Sequence, residues 1–246
     1  MRVSIDHAEA LDWLRSLKPG SVDAVVTDPP YSSGGLHRSD RAARPEAKYA
    51  QNGDAIGRPS FSGDNRDQRS WAAWAALWLM MALQATREGG RVYVFSDWRM
   101  LPALTDAIQM GGWVWRGIVP WNKTRGSRAP HTGYHRHQCE YIVWGTAGPC
   151  EKRNGEGPFP GLITEPVRQA DKHHLTGKPT DVMRQLVRAA SRPDELVIDP
   201  FAGSGTTAVA CAMEGRRFMG CELSAEYCDV ARVRIEDALS TPALDL

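Results

Sequence analysis

Asp28-Pro29-Pro30-Tyr31 follows the apolar run Ala24-Val25-Val26-Thr27, and so sits where a buried parallel strand would end. Open α/β sheets bind their ligands at the carboxyl ends of such strands. The four residue types suit one task, holding the exocyclic amine of a flat heterocycle and presenting it to an electrophile. Asp28 can accept one N–H bond. Two successive prolines have no backbone donors and a fixed φ, so the turn offers carbonyl oxygen, and the Pro29 carbonyl can accept a second N–H. Tyr31 supplies a face on which a base can stack. A Pro-Pro pair can also do no more than end a strand, so this reading needs a cofactor site to accompany it.

A candidate for that site lies in Leu196-Val197-Ile198-Asp199-Pro200-Phe201-Ala202-Gly203-Ser204-Gly205-Thr206-Thr207. An apolar strand runs into a glycine turn and then into a segment of helical character from Thr206 to Met213. Gly203 and Gly205 permit a tight turn and close backbone approach, and the start of a helix directs N–H groups at whatever lies above it. A second apolar run, Phe218-Met219-Gly220-Cys221, ends in Glu222, which lies 19 residues after Gly203. That is close to the spacing at which a second-strand carboxylate takes ribose hydroxyls in nucleotide-binding βαβ units. A nucleoside-triphosphate site is excluded because the turn lacks the following Lys of a Walker A loop. A dinucleotide such as NAD stays open on these residues alone, since Gly203, Gly205 and Ala208 satisfy the looser glycine fingerprint, and with it a nicotinamide-dependent oxidoreductase.

Asp-Pro-Pro-Tyr and Phe-Ala-Gly-Ser-Gly together resemble the amino-methyltransferases of DNA that use S-adenosyl-L-methionine. Their order, tetrapeptide first and glycine turn last, resembles the circularly permuted β group. Ile5-Asp6 followed by Val22-Asp23-Ala24-Val25-Val26-Thr27 is similar to that group's N-terminal unit. Pro120-Trp121-Asn122-Lys123 with Glu140-Tyr141-Ile142-Val143 resembles its late strand pair, and His174-Leu175-Thr176-Gly177-Lys178-Pro179, with Val182, Leu186 and Val187, resembles the segment before the cofactor turn. The matches span nearly the whole chain. The departures are a long insertion after Tyr31 and a very short stretch where the group keeps its target-recognition domain.

The resemblance implies a doubly wound, Rossmann-like α/β methyltransferase sheet and transfer of a methyl group to the exocyclic amine of a base flipped out of double-stranded DNA. Asp28, Pro29, Pro30 and Tyr31 would be catalytic. Gly203, Gly205, Thr206 and Thr207 would line the methionine part of the cofactor, with Asp199 and Phe201 in the turn. Glu222 would hold the ribose, Asp6 would lie near the adenine, Thr176 and Lys178 would approach the cofactor carboxylate, and Asp28 would touch the cofactor as well as the base. In the family Asp at position 28 goes more often with adenine and Ser more often with cytosine, so adenine N6 is the expectation. Cytosine N4 is the nearest alternative, and methylation of RNA or a protein amide by the same site is another.

The remaining sequence must position these two motifs. At 246 residues and 42% hydrophobic content the chain suits one α/β domain. Trp71, Trp74, Trp78 and Met81 recur at three- and four-residue intervals and predict a helix ending near Thr86, read as core with part of its apolar surface available to a homodimer. Arg91 to Phe95 predicts a central strand, and Leu101, Leu104 and Ile108, stopped by Gly111-Gly112, the next helix. The start lacks the apolar core of a signal peptide, no apolar segment approaches the roughly 20 residues of a membrane span, and five cysteines without regular spacing argue against a disulfide framework. These features suit a cytoplasmic enzyme. Any restriction endonuclease partner would be a separate chain.

A net charge of +1 requires any DNA footprint to be local. Leu36 to Arg69 reads as a long loop insertion carrying Arg38, Arg41, Arg44, Lys48, Arg58, Arg66 and Arg69 against five acidic residues. Lys123 to His137 holds Lys123, Arg125, Arg128 and Arg136 with no acid. Residues 145–173 would be the short target-recognition segment. His131, His135, His137 and Cys139 cluster, and alternate residues from 135 to 139 would share a face if this were strand, but they lack paired metal-ligand spacing and are read as polar loop residues or phosphate contacts, with no metal site expected.

Overall fold

The computed structural model describes residues 2–31, 66–125, 127, 129, 131–167 and 178–240. Along the chain these form β1 (Val3–His7), α1 (Ala10–Ser16), β2 (Val22–Thr27), α2 (Gln68–Ala85), β3 (Thr86–Ser96), α3 (Leu101–Met110), β4 (Val114–Asn122), β5 (Cys139–Thr146), β6 (Ile163–Thr164), α4 (Thr180–Ala190), β7 (Leu196–Asp199), α5 (Thr206–Met213), β8 (Arg217–Glu222) and α6 (Ala225–Ser240). The strands make one mixed sheet in the order β1-β8-β7-β2-β3-β5-β4-β6. The first five in that order are parallel, β5 runs antiparallel to both β3 and β4, and β6 is parallel to β4.

The near-continuous apolar runs of β2 and β3 follow from cover on both faces. Ala24, Val26, Tyr93 and Phe95 point into one core layer with Val182, Leu186 and Val187 of α4, Ala208 of α5 and Ala231 of α6. Val25, Val92 and Val94 point into the other, against Trp13 of α1, Trp71 and Trp78 of α2 and Leu104 of α3. No helix among the described residues is long and apolar enough to cross a membrane.

Three boundaries differ from the sequence reading. Asp67 caps α2, its side chain accepting from the Arg69 and Ser70 amides, so Arg69 is helical rather than part of the loop. An N-terminal carboxylate that satisfies orphan amides outweighs the polar composition that suggested a loop there. Gly145 and Thr146 end β5 rather than opening a recognition segment, because they pair with Val92 and Arg91 of β3. Residues 135–138 are not strand, and the ladder begins at Cys139, opposite Asn122. Of the proposed insertion, 36–65 lies outside the described residues.

Three further contacts fix the end of α4, which begins two residues after Lys178. Arg91, Arg153 and Arg216 donate to the carbonyls of Ala189 (2.7 Å), Ala190 (2.9 Å) and Ser191 (2.9 Å), satisfying acceptors that a helix end leaves open and opposing its negative end with positive charge.

Candidate active site

The strand ends at which the motifs were expected lie along one edge of the sheet. His7 pairs with Glu222, Thr27 with Val94, Ser96 with Tyr141 and Asn122 with Cys139, so the carboxyl ends of β1, β8, β7, β2, β3 and β4 share that edge with the start of β5.

At its centre the strands that lead into the two main motifs are bonded together. Asp199, ending β7 and only 2% exposed, accepts from Thr27 Oγ1 at 2.6 Å, Thr207 Oγ1 at 2.7 Å and the Phe201 amide at 3.0 Å. Burial pushes its carboxyl up to about 6, against the pull of those three donors, with the nearby Asp28 charge pushing the same way as burial. Asp28 follows Thr27 directly, so one buried carboxylate ties the start of the tetrapeptide to the base of the glycine turn.

The turn has the backbone its sequence demanded. Gly203 has φ +51° and Gly205, at the N-cap of α5, has φ +81°. A Cβ on Gly205 would lie 2.8 Å from Cβ of Ala231 on α6. Glu222 accepts from the Gly203 amide at 2.9 Å and the Ser224 amide at 2.9 Å, so its carboxylate braces the turn. Asp6 accepts from Trp13 Nε1 at 2.8 Å and sits one register step from Glu222, opposite Cys221. The Thr206 hydroxyl accepts from Arg234 Nη1 on α6 at 3.3 Å. Thr176 lies outside the described residues.

Around the tetrapeptide the structure supplies partners that the sequence reading did not assign. Trp71 Nε1 donates to the Pro30 carbonyl at 2.6 Å, and Trp74 and Trp78 each pack on Phe201 with ring centroids 5.3 Å apart. The tryptophan stripe is core, and it also joins the two motifs from below. Lys178, only 5% exposed, places Nζ 2.6 Å from Asp28 Oδ2 and 3.4 Å from both the Tyr31 hydroxyl and Glu140 Oε2. Glu140 Oε1 in turn accepts from Lys123 Nζ at 3.0 Å. Burial would pull the Lys178 ammonium down, but Asp28 and Glu140 reverse this and raise it. Burial would push Glu140 up, and Lys178 and Lys123 together hold it below the usual carboxylate range.

The basic candidates separate. Lys123 is committed to Glu140, with 17% of its side chain exposed, which removes it from the free surface cations. Arg125 and Arg136 are exposed, Arg136 donating to the Ser127 carbonyl at 2.9 Å. Arg38, Arg41, Arg44 and Arg128 lie outside the described residues. Trp98, just past the end of β3 and 55% exposed, stacks on His137 with centroids 6.2 Å apart; its position after a predicted strand was the available signal. Among the described residues no group of three or more His, Cys, Asp and Glu is arranged to hold a metal ion.

A glycine turn, the neighbouring strand-end carboxylates Asp6 and Glu222, and Asp28-Pro29-Pro30-Tyr31 along one edge suit an α/β enzyme acting with a nucleoside cofactor. Within that class the chain belongs to the N6/N4 DNA methylase family, whose sequence profile matches residues 22–156 and 145–233. The Type II methyltransferase M2.DpnII of Streptococcus pneumoniae is 26% identical over 94% of this chain and 88% of its own length. The fold is shared with the crystal structure of the M1.HpyAVI–SAM complex (TM-score 0.68, 22% identity, 94% of this chain and 98% of that one). It is shared equally with the cytosine-N4-specific PvuII DNA methyltransferase (TM-score 0.68, 17% identity, 97% and 92%). The protein is a DNA methyltransferase whose cofactor is S-adenosyl-L-methionine. This ends the oxidoreductase reading. The donor set fits such a cofactor. Asp6, Asp28, Asp199 and Glu222 bring acidic groups to the strand ends, suited to hydroxyls and to ammonium or sulfonium charge and opposed to a pyrophosphate.

Proposed function

We propose that this chain methylates adenine N6 in double-stranded DNA, with Asp28-Pro29-Pro30-Tyr31 as the catalytic turn and the β group's permuted order along the chain. The observation that carries the reading is the junction of the motifs: Asp28 follows Thr27, whose hydroxyl is bonded to Asp199 beneath the glycine turn. The amine acceptors and the methyl donor's site are thereby held in fixed relation, and positioning is the main requirement of an in-line displacement.

Asp28 and the Pro29 carbonyl accept the two N–H bonds of the amine, drawing its nitrogen out of conjugation with the ring and aiming its lone pair. A carboxylate offers about four acceptor sites, so Asp28 can hold Lys178 and an amine N–H together. Held at the glycine turn and Glu222, S-adenosyl-L-methionine would supply an electrophilic methyl carbon on a positively charged sulfur, whose leaving group would be a neutral thioether that keeps the C–S electron pair. Asp28 favours the positive charge that develops on nitrogen and takes the proton it must then lose. Tyr31 stacks on the flipped base, which cannot be reached inside a duplex. Glu222 holds the ribose hydroxyls, Asp6 lies beside the adenine ring, and Gly203, Gly205 and the first amides of α5, at Thr206 and Thr207, face the methionine part. Lys178 serves the cofactor carboxylate from its place beside Asp28, with Thr176 near it.

We take the chain as one methyltransferase domain, with the insertion after Tyr31 and the segment before His173 reading the target. Arg125, Arg136 and the exposed Trp98 contact DNA at the same sheet edge. Leu77, Met80 and Met110, exposed by 47%, 42% and 64% on α2 and α3, support a homodimer through that face.

The test is transfer of labelled methyl from S-adenosylmethionine to unmethylated bacterial DNA, followed by nucleoside digestion and mass spectrometry, with Asp28→Ala as control. Methyladenine that vanishes in the variant is the expected result. N4-methylcytosine would keep the mechanism and change the base, and no transfer to DNA despite cofactor binding would overturn the assignment.

A further inference from the structure

We propose that Glu140 is a positioning residue for methyl transfer, holding Lys178 between two carboxylates so that Asp28 keeps its capacity to accept the amine of the base. This rests on the catalytic role proposed for Asp28. Four side chains from four parts of the fold form a line: Asp28 after β2, Lys178 before α4, Glu140 on β5 and Lys123 just past β4. The successive separations are 2.6, 3.4 and 3.0 Å. Two ammonium and two carboxylate groups sum to zero charge.

The order along the line matters. Lys178 is almost fully enclosed, with the Phe95 and Tyr31 rings 5.3 and 5.6 Å from its Nζ, and a cation so placed must be neutralised by the carboxylates within reach. With Glu140 present that duty is divided. Without it Asp28 alone would carry the cation, and the oxygens that must accept an amine N–H would be drawn onto Lys178. Tyr31 contributes only a hydroxyl, at 3.4 Å. Asp199, whose carboxyl feels the Asp28 charge, is taken up by Thr27, Thr207 and the Phe201 amide, so Glu140 is the second carboxylate on Lys178. A merely structural role would lie in the Lys123–Glu140 pair, which crosses β4 and β5 next to the Trp121–Glu140 register.

Glu140→Gln keeps the shape and removes the charge. The expected result is a fall in kcat of tenfold or more, with the KM for S-adenosylmethionine within about twofold and little change in Tm. In the protein without cofactor at neutral pH, the Lys178 ammonium signal, followed by NMR and assigned by its absence in Lys178→Met, should shift and exchange its protons with water faster than in the wild type. The double variant Glu140→Gln/Lys123→Gln restores charge balance; it should recover any lost Tm and leave kcat as low as in the single variant. An unchanged kcat, an unchanged Lys178 ammonium signal, or recovery of kcat in the double variant would each overturn the proposal, the last by showing that only net buried charge matters. Wild-type enzyme and Asp28→Ala are run beside them. If the wild type transfers no methyl to DNA, the catalytic reading fails, while the lysine ammonium signal still decides whether Glu140 holds Lys178.

Discussion

Thr27 Oγ1 donates to Asp199 Oδ1 at 2.6 Å, joining residues 172 positions apart in the chain. The bond lies between neighbouring parallel strands, where Ala24 pairs with Val197 and Val25 with Ile198. Thr27→Val keeps the shape of the side chain and leaves a buried carboxylate one donor short. It should cost about 1.5–3 kcal/mol of stability, the range for a bond to a charged group. It should also lower kcat/KM about tenfold as Asp28 loses its tether. Urea unfolding and steady-state kinetics measure both, and a wild-type kcat/KM would separate this bond from catalysis.

The titration of Asp199 gives a pH dependence of definite sign. Folding raises its pKa to about 6, so protonation favours the folded state. That contribution is fully present below the unfolded value near 4 and is lost as pH rises through about 6. Asp199→Asn cannot titrate. Its stability relative to wild type should therefore improve by about 3 kcal/mol between pH 4 and 7, about two pKa units at 1.36 kcal/mol each. Denaturant midpoints at four pH values would show this, and a constant difference would contradict it.

Trp71→Phe tests the support under the tetrapeptide. The change removes the indole donor 2.6 Å from the Pro30 carbonyl while retaining an aromatic ring in a fully buried position. A stability loss of about 1–3 kcal/mol is expected from the hydrogen bond and the smaller ring. Because Pro30 sits between the amine acceptors and Tyr31, kcat should fall several-fold while the calorimetric Kd for S-adenosylmethionine stays near wild type. Equal losses in both would point to general unfolding of the edge.

Gly205→Ala meets two obstacles, a positive φ of 81° and the Ala231 methyl 2.8 Å from the new Cβ. Left-handed backbone at a non-glycine residue costs about 1–3 kcal/mol and overpacking a similar amount. The variant should unfold earlier and bind S-adenosylmethionine at least tenfold more weakly, because the turn must shift to relieve the contact. Wild-type affinity by calorimetry would remove the turn geometry from cofactor binding.

Much of this was legible before folding was considered. Asp28-Pro29-Pro30-Tyr31, the glycine turn and Glu222 are local signals. Two prolines exclude backbone donors, a glycine fixes where φ can be positive, and an apolar run before each motif marks a buried strand. The Asp67 cap at the start of α2 was missed because the Gly, Pro and charge content around it outweighed a one-residue signal. Glu140 and Trp71 were visible only as a strand residue and a core tryptophan, since nothing in their own neighbourhoods says what they face.

The sequence by itself therefore determined the chemistry available at each turn, through residue type, proline, glycine and strand periodicity. The tertiary structure decided which of these groups meet. Sheet order set β7 beside β2, which bonded Thr27 to Asp199, and the reversal of β5 placed Glu140 at the edge where Asp28 and Lys178 lie. Such pairings depend on register between strands distant in the chain, as where Ala24 pairs with Val197 and Ser96 with Tyr141. Register is chosen by the burial of both sheet faces at once, a property of the whole core that no single segment carries.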